Sequence, residues 1–167
     1  PIDPFYLSWK AKELGLSTRF IELAGEINHH MPEYVISRLS EALNEMGKPI
    51  KSSRILIVDM AYKKNVDDMR ESPALAILDL IQSRGGIPAY YDPYIPTIPH
   101  TREHSQWKGL NSVKWEAAEL NNYDAAIIVT AHDTVAYESL IETIPTIIDT
   151  RNALADIKAR PGQVWKA

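Results

Sequence analysis

Arg54-Ile-Leu-Ile-Val-Asp-Met60 runs straight into Ala61-Tyr-Lys-Lys-Asn-Val-Asp-Asp-Met-Arg-Glu-Ser72, and Pro73 follows. Arg54 to Met60 reads as a buried strand, since its centre is a continuous run of Ile, Leu and Val. The loop behind it carries two lysines, two aspartates and an arginine, so charge is delivered to a sheet edge. Ser72 followed by Pro73 is an N-cap and a first helical residue. Strand, cationic loop and helix N-terminus together suit an anion, above all a phosphate. Lys63 or Lys64 would supply a point charge, and Arg70 a planar fork for two oxygens. The alternative is a solvated turn in which these cations pair with Asp67, Asp68 and Glu71.

Outward from that stretch, strand and helix alternate. Ser72 to Ser83 predicts a helix stopped by Gly85-Gly86, and Ile87 to Tyr91 a second strand. Tyr94 to Ser112 reads as a long loop after the breaker Pro93, with Pro96 and Pro99 inside it. Trp115 to Leu120 predicts a short helix, Asp124 to Thr130 a third strand, Thr134 to Thr143 a helix and Thr146 to Asp149 a fourth strand. A weakly helical tail is expected after it. This order predicts an α/β fold, a parallel Rossmann-like sheet flanked by helices on both faces. In such a sheet Lys63, Asp92, His132 with Asp133, and Arg151 each follow a strand and share one edge, where open α/β sheets bind ligands.

Ahead of the sheet, Phe5 to Glu13 suits a short helix. Phe20, Ala24, Ile27, Met31, Val35, Leu39, Ala42 and Met46 then recur at helical spacing, so a long helix runs from Ser17-Thr18 to Gly47. Pro32 should kink it after His30. Ile21, Leu23, Ile36 and Leu43 widen its apolar face, which predicts dimerisation through it.

Composition sets the outer bounds. With 167 residues, 45% hydrophobic, 24% charged and a net charge of −4, the chain has no basic excess for nucleic acid. It has no apolar run of membrane-spanning length and no leader pattern, so the cytoplasm is the expected location. The absence of cysteine excludes disulfides, thiolate zinc sites and a cysteine nucleophile within these residues. The start at Pro1-Ile-Asp-Pro, without methionine, reads as a piece cut from something longer.

His100-Thr-Arg-Glu-His104 fits the inverted zinc-protease pattern, but that site needs a helix and prolines precede the motif in a loop. The adjacent His29 and His30 face different ways on a helix and cannot share an ion. No metal site is expected. No Gly-x-Gly-x-x-Gly and no phosphate-loop lysine motif is present either.

Pro1-Ile-Asp-Pro-Phe-Tyr-Leu7, Tyr62-Lys63 through Arg70-Glu-Ser-Pro73, and Asp149-Thr-Arg-Asn-Ala-Leu154 occur in order. In these the chain resembles the nucleotide-sugar 6-dehydrogenases, the family of UDP-glucose, GDP-mannose and UDP-N-acetylhexosamine dehydrogenases. The wording is most similar to the UDP-N-acetylglucosamine 6-dehydrogenase branch. The resemblance implies a central helical dimerisation segment over residues 1–50 and a Rossmann-like UDP-sugar-binding domain over residues 51–167. It implies NAD as cofactor, bound mainly by an N-terminal domain absent here, and a nucleophilic cysteine two positions before Pro1. By the same resemblance Asp3 is the catalytic aspartate, helping to activate the water that hydrolyses a thioester. Tyr62, Lys63 and Arg151 contact the UDP-sugar, Arg70 reaches the cofactor, and Pro1 and Ile2 pass near the nicotinamide. Taken alone, these residues would be inactive. A free-standing nucleotide-binding or dimerisation module without chemistry is the alternative. Where the family usually has a glycine ahead of Ala61-Tyr62-Lys63, this chain has Val58-Asp59-Met60. An ionised Asp59 beside a diphosphate would repel it unless Lys64 or Arg151 neutralised it.

Overall fold

A computed structural model describes residues 3–167, for Asp3 the backbone alone. Pro1, Ile2 and the Asp3 side chain, all three assigned to the site by resemblance, lie outside the described residues. Up to Met31 and from Pro32 onward the chain forms two compact units.

The first unit holds α1 (Asp3–Glu13) and the first half of α2 (Arg19–Glu45). Thr18 donates through Oγ1 to the Ser8 hydroxyl at 2.7 Å, and Lys12 pairs with Glu22 at 3.1 Å. The Phe5 ring lies over Gly25, where an added Cβ would meet it at 2.2 Å. Only a residue without a side chain admits the ring at that distance.

The second unit is the sheet. Strands β1 (Arg54–Val58), β2 (Ile87–Tyr91), β3 (Ala125–Ile128), β4 (Ile147–Asp149) and β5 (Val164–Lys166) lie in the order β2-β1-β3-β4-β5, all parallel. Alternation along β1 divides the core. Ile55 and Ile57 pack with Val35, Ile36, Leu39 and Leu43 of α2 and with α3 (Pro73–Ser83). Leu56 and Val58 face the other way, towards Leu120 of α4 (Ala117–Leu120) and Leu140 of α5 (Glu138–Thr143). Helices therefore cover both faces, as a sheet of continuously apolar strands requires. Ser72 caps α3 with its side chain accepting from the Ala74 N–H, and Pro73 opens the helix.

Four details differ from the sequence reading. The strand expected to reach Met60 ends at Val58, because Asp59 takes a φ of +68° and leaves the extended region. The tail expected to be weakly helical instead turns at Pro161-Gly162 and adds β5, whose register pairs Ile147 with Val164. The helix expected from Thr134 begins at Glu138, since Tyr137 is drawn inward to hydrogen-bond Asp59. The helix expected from Trp115 begins at Ala117.

The loop after β2 is not slack. Asp79 of α3 accepts from Gln106 Nε2 at 2.5 Å and Trp107 Nε1 at 2.6 Å, and its other oxygen meets His104 Nδ1 at 2.5 Å. Residues 100–104 are outside any helix, so the zinc-protease geometry is not formed. No helix among the described residues is long and apolar enough to cross a membrane.

Candidate functional site

Register puts Val58, Tyr91, Ile128 and Asp149 at neighbouring strand ends. The residues that follow them therefore share the carboxyl edge of the sheet, and Lys63 and Arg151 are at the same end of it. Four non-glycine residues in these strand-end loops have positive φ: Asp59 (68°), Asn65 (63°), Glu71 (61°) and Asn152 (58°). Unfavourable backbone of this kind gathers where a site over-determines the chain.

Two aspartates build the rim. Asp92, after β2, is buried and engages both oxygens with main-chain N–H groups. Oδ2 accepts from Met60 at 2.7 Å and Ala61 at 3.2 Å, and Oδ1 from Tyr94 at 2.7 Å and Ile95 at 3.0 Å. Asp149, ending β4, accepts from the N–H groups of Arg151 at 3.0 Å, Ala153 at 3.1 Å and Leu154 at 2.9 Å. These carboxylates shape the loops that carry Lys63 and Arg151.

The cations at the edge fall into two classes. Lys64 is held by Asp133 at 2.8 Å, and Asp133 is kept below the usual carboxylate range by hydrogen bonds from Lys64 and Asn65. Arg70 grips Asp68, Nε to Oδ1 at 3.0 Å and Nη2 to Oδ2 at 2.9 Å, which holds Asp68 at about 2. For Arg70 the solvated-turn alternative describes the structure. Lys63, by contrast, has only a cation–π contact to Tyr62, 5.3 Å from the ring centre, and no ion pair among the described residues. Arg151 donates through Nε to the Val129 carbonyl at 2.6 Å, and its terminal nitrogens have no hydrogen-bond partner among the described residues. The two unengaged cations are those assigned to the nucleotide sugar.

Asp59, which would repel a diphosphate if it stood ionised beside one, is turned inward. It is fully buried, accepts from the Tyr137 hydroxyl and from the His132 N–H at 3.3 Å, and pairs with neither Lys64 nor Arg151. Its φ is one that glycine adopts freely and that aspartate tolerates better than most residues. Burial pushes its carboxyl up to about 7, with Asp92 adding to the rise, and the Tyr137 hydroxyl is pushed upward in turn.

Asp59, Asp92 and His132 bring three potential ligand atoms within 4.8 Å of one another. Hydrogen bonding already occupies both Asp92 oxygens, both His132 ring nitrogens and Asp59 Oδ2, while the buried Asp59 Oδ1 has no hydrogen-bond partner among the described residues. His132 Nδ1 accepts from the Asn65 N–H at 2.7 Å, so Nε2 carries the ring proton and faces Asp92 Oδ2 at 3.3 Å. With Asp92 accepting four N–H bonds, a cation would have to break the main-chain cap. The cluster is a hydrogen-bonded core of the rim.

Sequence reasoning put Asp92, His132 and Asp133 at this edge but missed what they hold. Asn65 at the tip of the charged loop carried a signal, since Asn is the residue other than glycine that most readily takes positive φ.

Residues 56–156 match the sequence model of the UDP-glucose/GDP-mannose dehydrogenase family, UDP binding domain. The chain belongs to this family. It is 33% identical over 161 residues to a UDP-N-acetyl-D-mannosamine dehydrogenase of Methanococcus maripaludis, covering 92% of this chain and 34% of the relative. To a UDP-N-acetyl-D-glucosamine 6-dehydrogenase of Salmonella typhi it is 26% identical over 134 residues, covering 78% and 29%. The structure of a UDP-D-ManNAc dehydrogenase from Pyrococcus horikoshii superposes with a TM-score of 0.70 at 26% identity, covering 87% of this chain and 32% of that one. The chain thus spans about a third of the length of its relatives. All four non-glycine positive-φ residues of the rim, and both Lys63 and Arg151, fall within the matched segment.

Proposed function

We propose that these residues are the nucleotide-sugar-binding part of an NAD-dependent dehydrogenase that oxidises the C6 alcohol of a UDP-N-acetylhexosamine, UDP-N-acetylglucosamine first among them, to the uronic acid. The observation that carries this reading is the pair of unengaged cations, Lys63 and Arg151, on one rim of a family UDP-binding domain. A diphosphate brings two to three negative charges to such an edge, and a lysine ammonium and an arginine fork complement it. Tyr62, half-exposed beside Lys63, offers a flat surface at the same place.

The reading makes the 167 residues a binder and not a catalyst by themselves. They hold no cysteine, and the residues described do not fit a dinucleotide: Arg70, the one described residue assigned to the cofactor, is engaged with Asp68, and no glycine-rich phosphate cradle is present. NAD and the nucleophile would come from elsewhere in the enzyme. By the resemblance, Asp3 would help to activate the water that hydrolyses a thioester and Pro1 and Ile2 would pass near the nicotinamide, and a second copy of the chain would cover the apolar face of α1 and α2.

Titration calorimetry on the chain tests this. UDP-N-acetylglucosamine should release heat with a single site and GDP-mannose should not. Lys63→Ala should weaken binding roughly tenfold to a hundredfold, the effect of removing a charge-assisted hydrogen bond. Absence of heat with UDP-N-acetylglucosamine, or full affinity in Lys63→Ala, would overturn the assignment.

A further inference from the structure

Lys63 sits on a long flexible stem, and fixing such a chain against a ligand loses rotamer freedom and any freedom of the loop beneath it. Ordering that loop beforehand leaves less to lose on binding. The β1 loop is pinned on either side of Lys63, and both pins come from the loop after β3. Upstream, Thr130 Oγ1 donates to the Ala61 carbonyl at 2.7 Å. Downstream, the Asn65 N–H meets buried His132 Nδ1 at 2.7 Å, while the Asn65 and Asp133 side chains bond reciprocally. Asn65 Nδ2 donates to Asp133 Oδ2 at 2.6 Å, and Asn65 Oδ1 accepts from the Asp133 N–H at 3.0 Å. Asp133 also draws off Lys64.

We propose that Asn65, His132 and Asp133 form a clasp that holds the Lys63 loop in its diphosphate-binding shape, and so act as positioning residues for nucleotide-sugar binding. The inference rests on the reading of Lys63 as a diphosphate contact. It accounts for an aspartate at a rim meant for an anion. By charge alone Asp133 should repel the ligand, yet it is 62% exposed and shows no role in the core.

That conflict of sign supplies the test. UDP is titrated into the chain as wild type, Lys63→Ala, Asp133→Ala, Asp133→Asn and the Lys63→Ala/Asp133→Ala double variant, with melting curves alongside. A positioning role makes Asp133→Ala weaken UDP binding, roughly fivefold to tenfold, although a negative charge has been removed. Asp133→Asn, which keeps an oxygen for Asn65 Nδ2, should recover most of the loss. In the Lys63→Ala background Asp133→Ala should have little further effect, because the residue it positions is gone. Tighter or unchanged binding in Asp133→Ala, or the same loss with and without Lys63, would overturn the clasp and leave the reading of Lys63 intact. Unchanged binding in Lys63→Ala alone would overturn that reading and the clasp with it. His132→Asn, whose amide oxygen can replace Nδ1, against His132→Ala repeats the comparison on the buried side. Equal losses in the two would also count against the clasp.

Discussion

The two units of this chain treat their apolar residues in opposite ways. From Pro32 onward Ile36, Leu39, Leu43, Ile55, Ile57, Leu78 and Ile127 are fully buried. Before it Phe20 is 89% exposed and Leu14 70%, with Tyr6, Leu7, Trp9, Leu23 and Ile27 also open. The sheet unit satisfies its own sequence. The helical unit has a few internal contacts, such as Phe5 on Gly25, and a broad apolar face besides. The lesson is that stability is written in the sheet unit, while the dimerisation proposed for the helical face would be written in a different part of the chain, so substitutions can separate the two.

The largest effect is expected inside the sheet unit, from a polar residue. Asp92→Ala leaves the N–H groups of Met60, Ala61, Tyr94 and Ile95 without their acceptor, and unfolding free energy in urea should fall by about 3–5 kcal/mol. Asp68, a carboxylate of the same loop system whose side chain is engaged only with Arg70, should leave the urea midpoint almost unmoved on substitution by Ala. Equal effects would break the distinction between a loop-building and a solvated carboxylate. Next comes Leu78→Ala, at about 3 kcal/mol for a fully buried leucine. Phe20→Ala, the removal of a larger side chain, should stay within about 0.5 kcal/mol when measured on dilute protein.

Much of this contrast was legible in the sequence. Continuous Ile, Leu and Val runs, the Ser72-Pro73 helix start and the Gly85-Gly86 stop give the alternating elements because period and capping are local properties. The parallel order then follows from the rules of connection, and that order alone puts Lys63 and Arg151 at one end. What the sequence did not disclose was pairing. Whether Arg70 reaches a ligand or folds back on Asp68 depends on side-chain geometry two residues apart. Likewise, whether Asp59 looks outward or inward turns on one backbone angle, and the positive φ at Asp59 sent it to Tyr137. β5 was missed because three residues after a Pro-Gly turn carry too little periodicity to declare a strand. Its place is given by pairing with β4, a tertiary fact.

Asp59 gives a smaller effect with a defined sign. Its carboxyl is at about 7 in the fold against an ordinary 3.8, so the folded chain binds more protons than the unfolded chain between those values. The contribution is therefore fully present below pH about 4 and is lost as pH rises to about 7. Asp59→Asn keeps an oxygen for the Tyr137 hydroxyl and removes the charge. It should flatten that part of the stability profile relative to wild type and raise stability at pH 8 by about 1–2 kcal/mol, the new amide N–H group offsetting part of the gain. Parallel pH profiles for the two proteins would show that Asp59 is ionised in the fold at neutral pH.

The smallest effect on unfolding, and the one that bears most directly on the helical unit, comes from Phe20→Glu with Ile27→Glu. Both side chains are more than half exposed, so the change removes little buried surface and should leave the urea midpoint of dilute protein nearly unmoved. A second copy packed on that face would have to bury two carboxylates without partners, which costs several kcal/mol and is not tolerated at an interface core. Sedimentation velocity should then show wild type as a dimer and the double variant as a monomer with the same melting curve at low concentration. A wild-type monomer would remove the reason offered for the open apolar face. A variant that stays dimeric would move the interface elsewhere, and the division between a self-sufficient sheet and an assembling helix would have to be redrawn.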